Sequence, residues 1–232
     1  ATTEIYTLSL HDALPISPKI VDTGVPMDTA VVEYIKTKLG GVVGKSYASA
    51  QNRITIKSYT DVVSTAWYAK YVDDVTAKEL MGGSNGKFDP NGNMNRAMLV
   101  TVLYRMAGSP QVTIDNPFTD VPAGQWYTNG AIWCYEKGIL ANMDSTTMDP
   151  NALVTRQELA YMLYQYSGAP EEPSSALTDF SDSASVSDWA QDAMEYCVGL
   201  GVLQGSEGKL NPQNSVTRAE AATMLVRFAD AQ

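Results

Sequence analysis

The chain has 232 residues, which suits one or two domains and suffices to bury a hydrophobic core. Sixteen Lys and Arg against 26 Asp and Glu leave a net charge of −10 and a pI near 4.5, which disfavours a sequence-independent grip on nucleic acid or anionic lipid. Apolar residues make up 44% and charged residues 18%, too hydrophobic for a disordered tail, and no apolar run reaches the roughly 18 residues of a membrane-inserting helix. The single histidine is His11, so Pro18 to Gln232 cannot supply an imidazole, which removes most Ser-His, Cys-His and zinc chemistry. No catalytic residue, metal ligand or cofactor is expected.

Residues 1–17 read badly as protein. The string Glu4 to Ser17, EIYTLSLHDALPIS, resembles translated sequencing-adapter read-through, and the segment holds no intact secretory signal. This predicts a non-native start and the loss of whatever preceded it. Residues 18–58 are mixed, and fit the tail of an upstream domain or a leader. Val31, Val32, Ile35 and Leu39 recur at helical period and stop at Gly40-Gly41, and Arg53 to Lys57 alternates like a short strand.

From Tyr59 onward the chain is an internal three-fold repeat. YTDV at Tyr59, FTDV at Phe118 and FSDS at Phe180 open the copies, and Trp67, Trp126 and Trp189 come next, the last after one inserted residue. A helical stretch closes at Leu80-Met81, Ile139-Leu140 and Val202-Leu203, followed by Gly83, Asn142 and Gly205 at one aligned position, types that tolerate a left-handed turn. Then come KFDPNGNMNRAM, TMDPNALVTRQE and KLNPQNSVTRAE, which align Arg96, Arg156 and Arg218. Thr155 with Glu158 and Thr217 with Glu220 fit the capping box, whereas repeat one keeps only Asn95 as a cap and has Met98 in place of the acid. Apolar stripes follow: Leu99, Val102, Leu103 and Met106; Leu159, Met162, Leu163 and Tyr166; Ala221, Met224, Leu225 and Phe228.

The expected fold is therefore all-α, with three helix-loop-helix repeats spanning 59–110, 111–172 and 173–232. Units of about 45 residues bury little alone, so the three should share a core about a pseudo-three-fold axis. The Glu, Pro and Ser-rich run from Glu171 to Ser175 reads as the looser linker. Cys134 and Cys197 occupy one repeat position, filled by Val75 in repeat one, which predicts buried free thiols rather than a bridge. Glu79 stands where repeats two and three have Gly138 and Gly201, so the first helix of repeat one should end differently.

Two tempting patterns are weak. Gly82 to Gly86 matches G-x-S-x-G but lacks the strand and histidine of a nucleophile elbow. Asp89, Asn91 and Asn93 have calcium-loop spacing, yet Met94 replaces the glycine and Val100 the bidentate Glu.

F-x-D-V, the tryptophan, G-x-x-x-G-x-F-x-P and V-T-R-x-E in three registered copies resemble the S-layer homology (SLH) domain family over Tyr59 to Phe228, closely in repeats two and three and less so in repeat one. The resemblance implies a three-pronged spindle. It further implies a non-catalytic anchor that holds an exoprotein to a secondary cell-wall polysaccharide, often one with pyruvylated N-acetylmannosamine, at the extracellular cell surface and beside other S-layer or surface proteins. Neither nucleic acid nor membrane insertion is implied. Carried over by position, the carbohydrate-binding candidates are Asp61, Trp67, Gly83 and Arg96; Asp120, Trp126 and Arg156; and Asp182, Trp189, Gly205 and Arg218. An arginine just inside a helix N-terminus, beside free amides, suits a carboxylate such as a pyruvyl ketal, and Trp offers a flat face to a sugar ring. On this reading, replacing an arginine removes binding and spares the fold. The aspartates read equally well as helix caps and the tryptophans as core. A helical protein-binding module and the anchor tail of a surface enzyme remain alternatives.

Overall fold

The computed structural model describes residues 59–142, 146–170 and 177–232. The adapter-like segment, the helix and strand expected in 18–58 and the Glu171 to Ser175 linker lie outside the described residues. Among the described residues the fold is all-α, with isolated β-bridges in place of strands. Repeat one contributes α1 (Ala69–Ala77) and α2 (Arg96–Met106), repeat two α3 (Thr128–Glu136) and α4 (Arg156–Tyr166), and repeat three α5 (Gln191–Gly199) and α6 (Arg218–Ala231).

The second helices begin where the sequence predicts. Asn95 accepts the Met98 amide through its side chain, and Thr155 and Thr217 form complete capping boxes with Glu158 and Glu220. The first helices end earlier than expected, at Ala77, Glu136 and Gly199, and the apolar pairs after them turn inward. Leu80, Met81, Ile139, Leu140, Val202 and Leu203 are all buried. The turn that aims them needs a left-handed residue, and Gly138 (φ 71°) and Gly201 (φ 70°) supply it. Glu79 adopts the same conformation, φ 55°, so α1 ends like α3 and α5. The expected difference is absent because burying Leu80 and Met81 outweighs the strain on one residue.

Helices pair across repeat boundaries rather than within a repeat. α2 packs on α3, α4 on α5, and α6 returns to α1. Close approach of α2 and α3 depends on Gly130, where a Cβ would sit 2.9 Å from the Val100 carbonyl oxygen. Cys134 and Cys197 are buried free thiols in these seams, and each donates to a carbonyl of the facing helix, that of Val100 at 3.8 Å or Ala160 at 3.7 Å. The stripes of α2, α4 and α6 lie in one hydrophobic core, with Phe88, Met148 and Leu210 from the loops buried beneath them.

The backbone closes the same circuit. Met94 donates its amide to the Val216 carbonyl (2.9 Å), Val216 to Val154 (2.8 Å), and Val154 to Met94 (3.0 Å). All three side chains are fully buried, so no water competes for these bonds. Each repeat thus touches both others through one residue.

Candidate functional site

The candidate residues fall into groups with different surroundings. The three aspartates do not cap helices. Asp61 accepts the amides of Phe88 (2.8 Å) and Asp89 (2.7 Å), Asp120 those of Met148 (2.9 Å) and Asp149 (2.6 Å), and Asp182 those of Leu210 (2.8 Å) and Asn211 (2.7 Å). Each carboxylate uses both oxygens to clamp its own repeat's loop, at a point where Asp89, Asp149 and Asn211 take positive φ. Burial pushes the Asp61 and Asp182 carboxyls up, but the amide hydrogen bonds and neighbouring Lys87 and Lys209 outweigh it and leave both below the ordinary carboxylate value.

Gly83 and Gly205 make room for the aromatic that opens the repeat. A Cβ on Gly83 would meet Tyr59 Cε1 at 2.5 Å and the Lys87 carbonyl, and one on Gly205 would meet Phe180 Cε1 at 2.6 Å. Gly205 has φ +68°, whereas Gly83 and Asn142 lie outside the left-handed region, so the shared turn expected at this position forms in repeat three alone. The left-handed residues of repeat one come two and three positions later. Asn85 (φ 52°) and Gly86 (φ 74°) form a two-residue hairpin between Ser84 and Lys87, which Glu207 and Gly208 repeat between Ser206 and Lys209. Ser84, the centre of the G-x-S-x-G string, is an ordinary hairpin residue.

The arginines start α2, α4 and α6 and reach into the next repeat. Arg96 donates to the Met148 carbonyl (3.1 Å) and Glu158 Oε1 (2.9 Å), and Arg156 to the Leu210 carbonyl (2.7 Å) and Glu220 Oε1 (3.1 Å). Arg218 donates to the carbonyls of Phe88 and Gly82, both at 2.8 Å, with its guanidinium 4.6 Å from the Phe88 ring centroid. The helix-start amides are also taken. Those of Arg96 and Ala97 donate to Ala152 and Pro150, those of Arg156 and Gln157 to Asn214 and Pro212, and those of Arg218 and Ala219 to Gly92 and Pro90. The free amides expected beside each arginine are therefore absent. Arginine substitution should loosen a repeat junction, contrary to the expectation that the fold would be spared.

The tryptophans are the exposed members. Trp67 is 62% exposed, Trp126 60% and Trp189 44%, which overturns their reading as core. Trp67 and Trp126 stand edge-on to the tyrosines that follow them, Tyr68 and Tyr127, and Trp189 stands edge-on to Tyr161 of repeat two. Composition alone could not separate them from Trp133, which is buried against Tyr104 and Tyr166. Sequence reasoning missed Gln157. It is buried, bonds Ser187 and Gln213 of repeat three, and has Ala97 and Ala219 as its counterparts at the aligned positions, so its polarity was the available signal.

Exposed tryptophans thus stand at matching places on three interlocked helical repeats. The family model for the S-layer homology domain matches residues 58–97, 117–160 and 179–222, and the chain belongs to that family. The chain is 33% identical to the surface-layer 125 kDa protein of Lysinibacillus sphaericus over 157 residues, 66% of this chain and 13% of that protein. It is 29% identical to the amylopullulanase of Thermoanaerobacterium thermosulfurigenes over 178 residues, 73% of this chain and 9% of the relative. The S-layer protein sap of Bacillus anthracis matches at 25% over 173 residues, 74% of this chain and 21% of that protein. The chain thus spans only a small part of each relative. Among the described residues no helix is long and apolar enough to cross a membrane.

Proposed function

We propose that the chain anchors a bacterial exoprotein non-covalently to the cell envelope by binding a secondary cell-wall polysaccharide. The observation that carries this reading is the outward display of Trp67, Trp126 and Trp189 from equivalent points of a rigid scaffold. An exposed indole costs apolar hydration, and stacking on a sugar ring recovers it while leaving the ring N-H for a hydroxyl. Its occurrence with both a surface-layer protein and an amylopullulanase fits an attachment part that serves different cargoes.

The tryptophans form the contact surface. Asp61, Asp120, Asp182, Gly83 and Gly205 shape the loops behind it, and Arg96, Arg156 and Arg218 set the junctions between repeats. Repetition suits a polymer, because engagement of a second indole is intramolecular and multiplies weak contacts. The test is sedimentation with purified sacculi, before and after acid extraction of the secondary polymer. The chain should pellet only with unextracted walls, and the triple Trp→Ala variant should stay in solution while melting as wild type does. Pelleting that survives extraction would favour a protein partner and overturn the polysaccharide reading.

A further inference from the structure

Each junction between repeats sets the arginine that starts one second helix against the third residue of another. Glu158 pairs in this way with Arg96, and Glu220 with Arg156. At the remaining junction that residue is Met98, whose sulfur lies 3.8 Å from Arg218 Nη1. Among the described residues no carboxylate lies within ion-pair distance of Arg218. Its Nε and Nη2 donate to the Phe88 and Gly82 carbonyls, so the guanidinium is held in place while Nη1 faces a weak thioether acceptor. Met98 is also accessible. Met81, Met94, Met148, Met162, Met194 and Met224 are buried, whereas Met98 and Met106 are partly exposed. Met106 packs against the apolar core at the far end of α2, and of the two it is Met98 whose sulfur meets a charged donor.

We propose that Met98 is an oxidative modification site: a hydroperoxide converts its thioether to the sulfoxide, which then accepts from the Arg218 guanidinium where the other junctions have a carboxylate. A sulfur lone pair attacks the terminal peroxide oxygen, the O–O bond breaks and the S–O bond forms. The hydroxyl proton passes to the departing oxygen, which leaves as water or an alcohol. Sulfur loses two electrons and the peroxide gains them. With the sulfur already 3.8 Å from Nη1, an oxygen on it comes into N–H···O range, about 2.7–3.2 Å, and accepts far better than the thioether did. Oxidation of a buried methionine sets a polar group against apolar neighbours. Here a positioned cation receives that group, so the reaction tightens the junction between the last repeat and the first instead of loosening it. A methionine sulfoxide reductase would reverse it. The inference does not depend on what the chain binds.

The experiment is timed exposure of the full chain to hydrogen peroxide, with the oxidised positions read by peptide-mapping mass spectrometry. Met98 should be oxidised while the six buried methionines remain intact. Thermal melts are then taken at that time point for wild type and for Met98→Leu, each with and without peroxide. Leucine keeps the shape of the side chain and cannot be oxidised, and Met106 reacts equally in both proteins. The change in midpoint on oxidation should be more favourable in wild type than in Met98→Leu by about 2–4 °C, as expected for one gained charge-assisted contact in a domain of this size. Met98→Gln, which offers Arg218 a carbonyl oxygen without any oxidant, should melt above untreated wild type and show no response at this position. The inference is overturned if Met98 reacts no sooner than the buried methionines, or if oxidation shifts wild type no more favourably than Met98→Leu. A midpoint for Met98→Gln below that of wild type would overturn the proposed contact with Arg218.

Discussion

Arg96 donates to Glu158 Oε1 at 2.9 Å across the boundary between repeats one and two, while Glu158 Oε2 accepts the amide and hydroxyl of Thr155. One carboxylate therefore closes a helix cap and a repeat junction at once. Glu158→Ala should cost about 2–3 kcal/mol, since it opens the cap and leaves a partly buried arginine without its counter-charge. Urea unfolding would read this as a lower midpoint at unchanged slope, and a loss below about 1 kcal/mol would show that the two roles are dispensable.

Glu79 holds a left-handed conformation that glycine holds in the other two repeats. Glu79→Gly should stabilise the fold by about 0.5–1 kcal/mol, because the strain removed exceeds the added flexibility of the unfolded chain. Thermal melts of the two proteins, matched in pH and salt, would show it. A lower midpoint for the variant would count against the conformational argument.

The lowered pKa values of Asp61 and Asp182 fix the direction of the acid response. An acid whose pKa drops on folding contributes stability that is complete above its unfolded value, about 3.9, and disappears as pH falls through the lower folded value. The Asp61→Asn, Asp182→Asn double variant should be less stable at pH 7 and should lose less on acidification. Melting curves between about pH 5 and pH 2 test this, and parallel curves would refute it.

Burial pushes the Cys134 thiol far up and that of Cys197 up to about 12. Neither forms thiolate at neutral pH, so iodoacetamide should leave both unlabelled in the native protein and modify both in urea. Mass spectrometry after timed exposure gives the answer. Rapid native labelling would mean that the α2·α3 or α4·α5 seam opens.

The parts of this fold that were legible in sequence are those whose physics is local. A capping box needs partners three residues apart, and an apolar stripe repeats within two turns, so the starts and faces of α2, α4 and α6 could be read directly. The arginine contacts could not. Arg96 finds its acceptors 52 and 62 residues away, and Arg218 finds Phe88 and Gly82 at separations of 130 and 136. No spacing rule connects such positions before the repeats are interlocked. The cap reading of the aspartates failed for a related reason, since an acid ahead of a helix resembles a cap, while the loop amides it holds lie 27 to 29 residues on. Exposure of the tryptophans depends on which faces the neighbouring repeats leave open.

The hydrogen-bonded triangle of Met94, Val154 and Val216, with α6 returning to α1, leaves this array without an outermost member. In an open stack, removing the last unit breaks one seam and exposes one face, and the remainder can persist with a cap. Here the removal of any unit breaks two seams and strands a buried amide on one survivor and a buried carbonyl on the other. The three copies must therefore melt together, and a pull between the two ends of the unit bears on the α1·α6 seam, the contact that joins its first helix to its last. In the proposed anchoring role, load between those ends would be carried by a helix seam backed by the buried hydrogen-bonded triangle, not by one terminal repeat peeling from its neighbour.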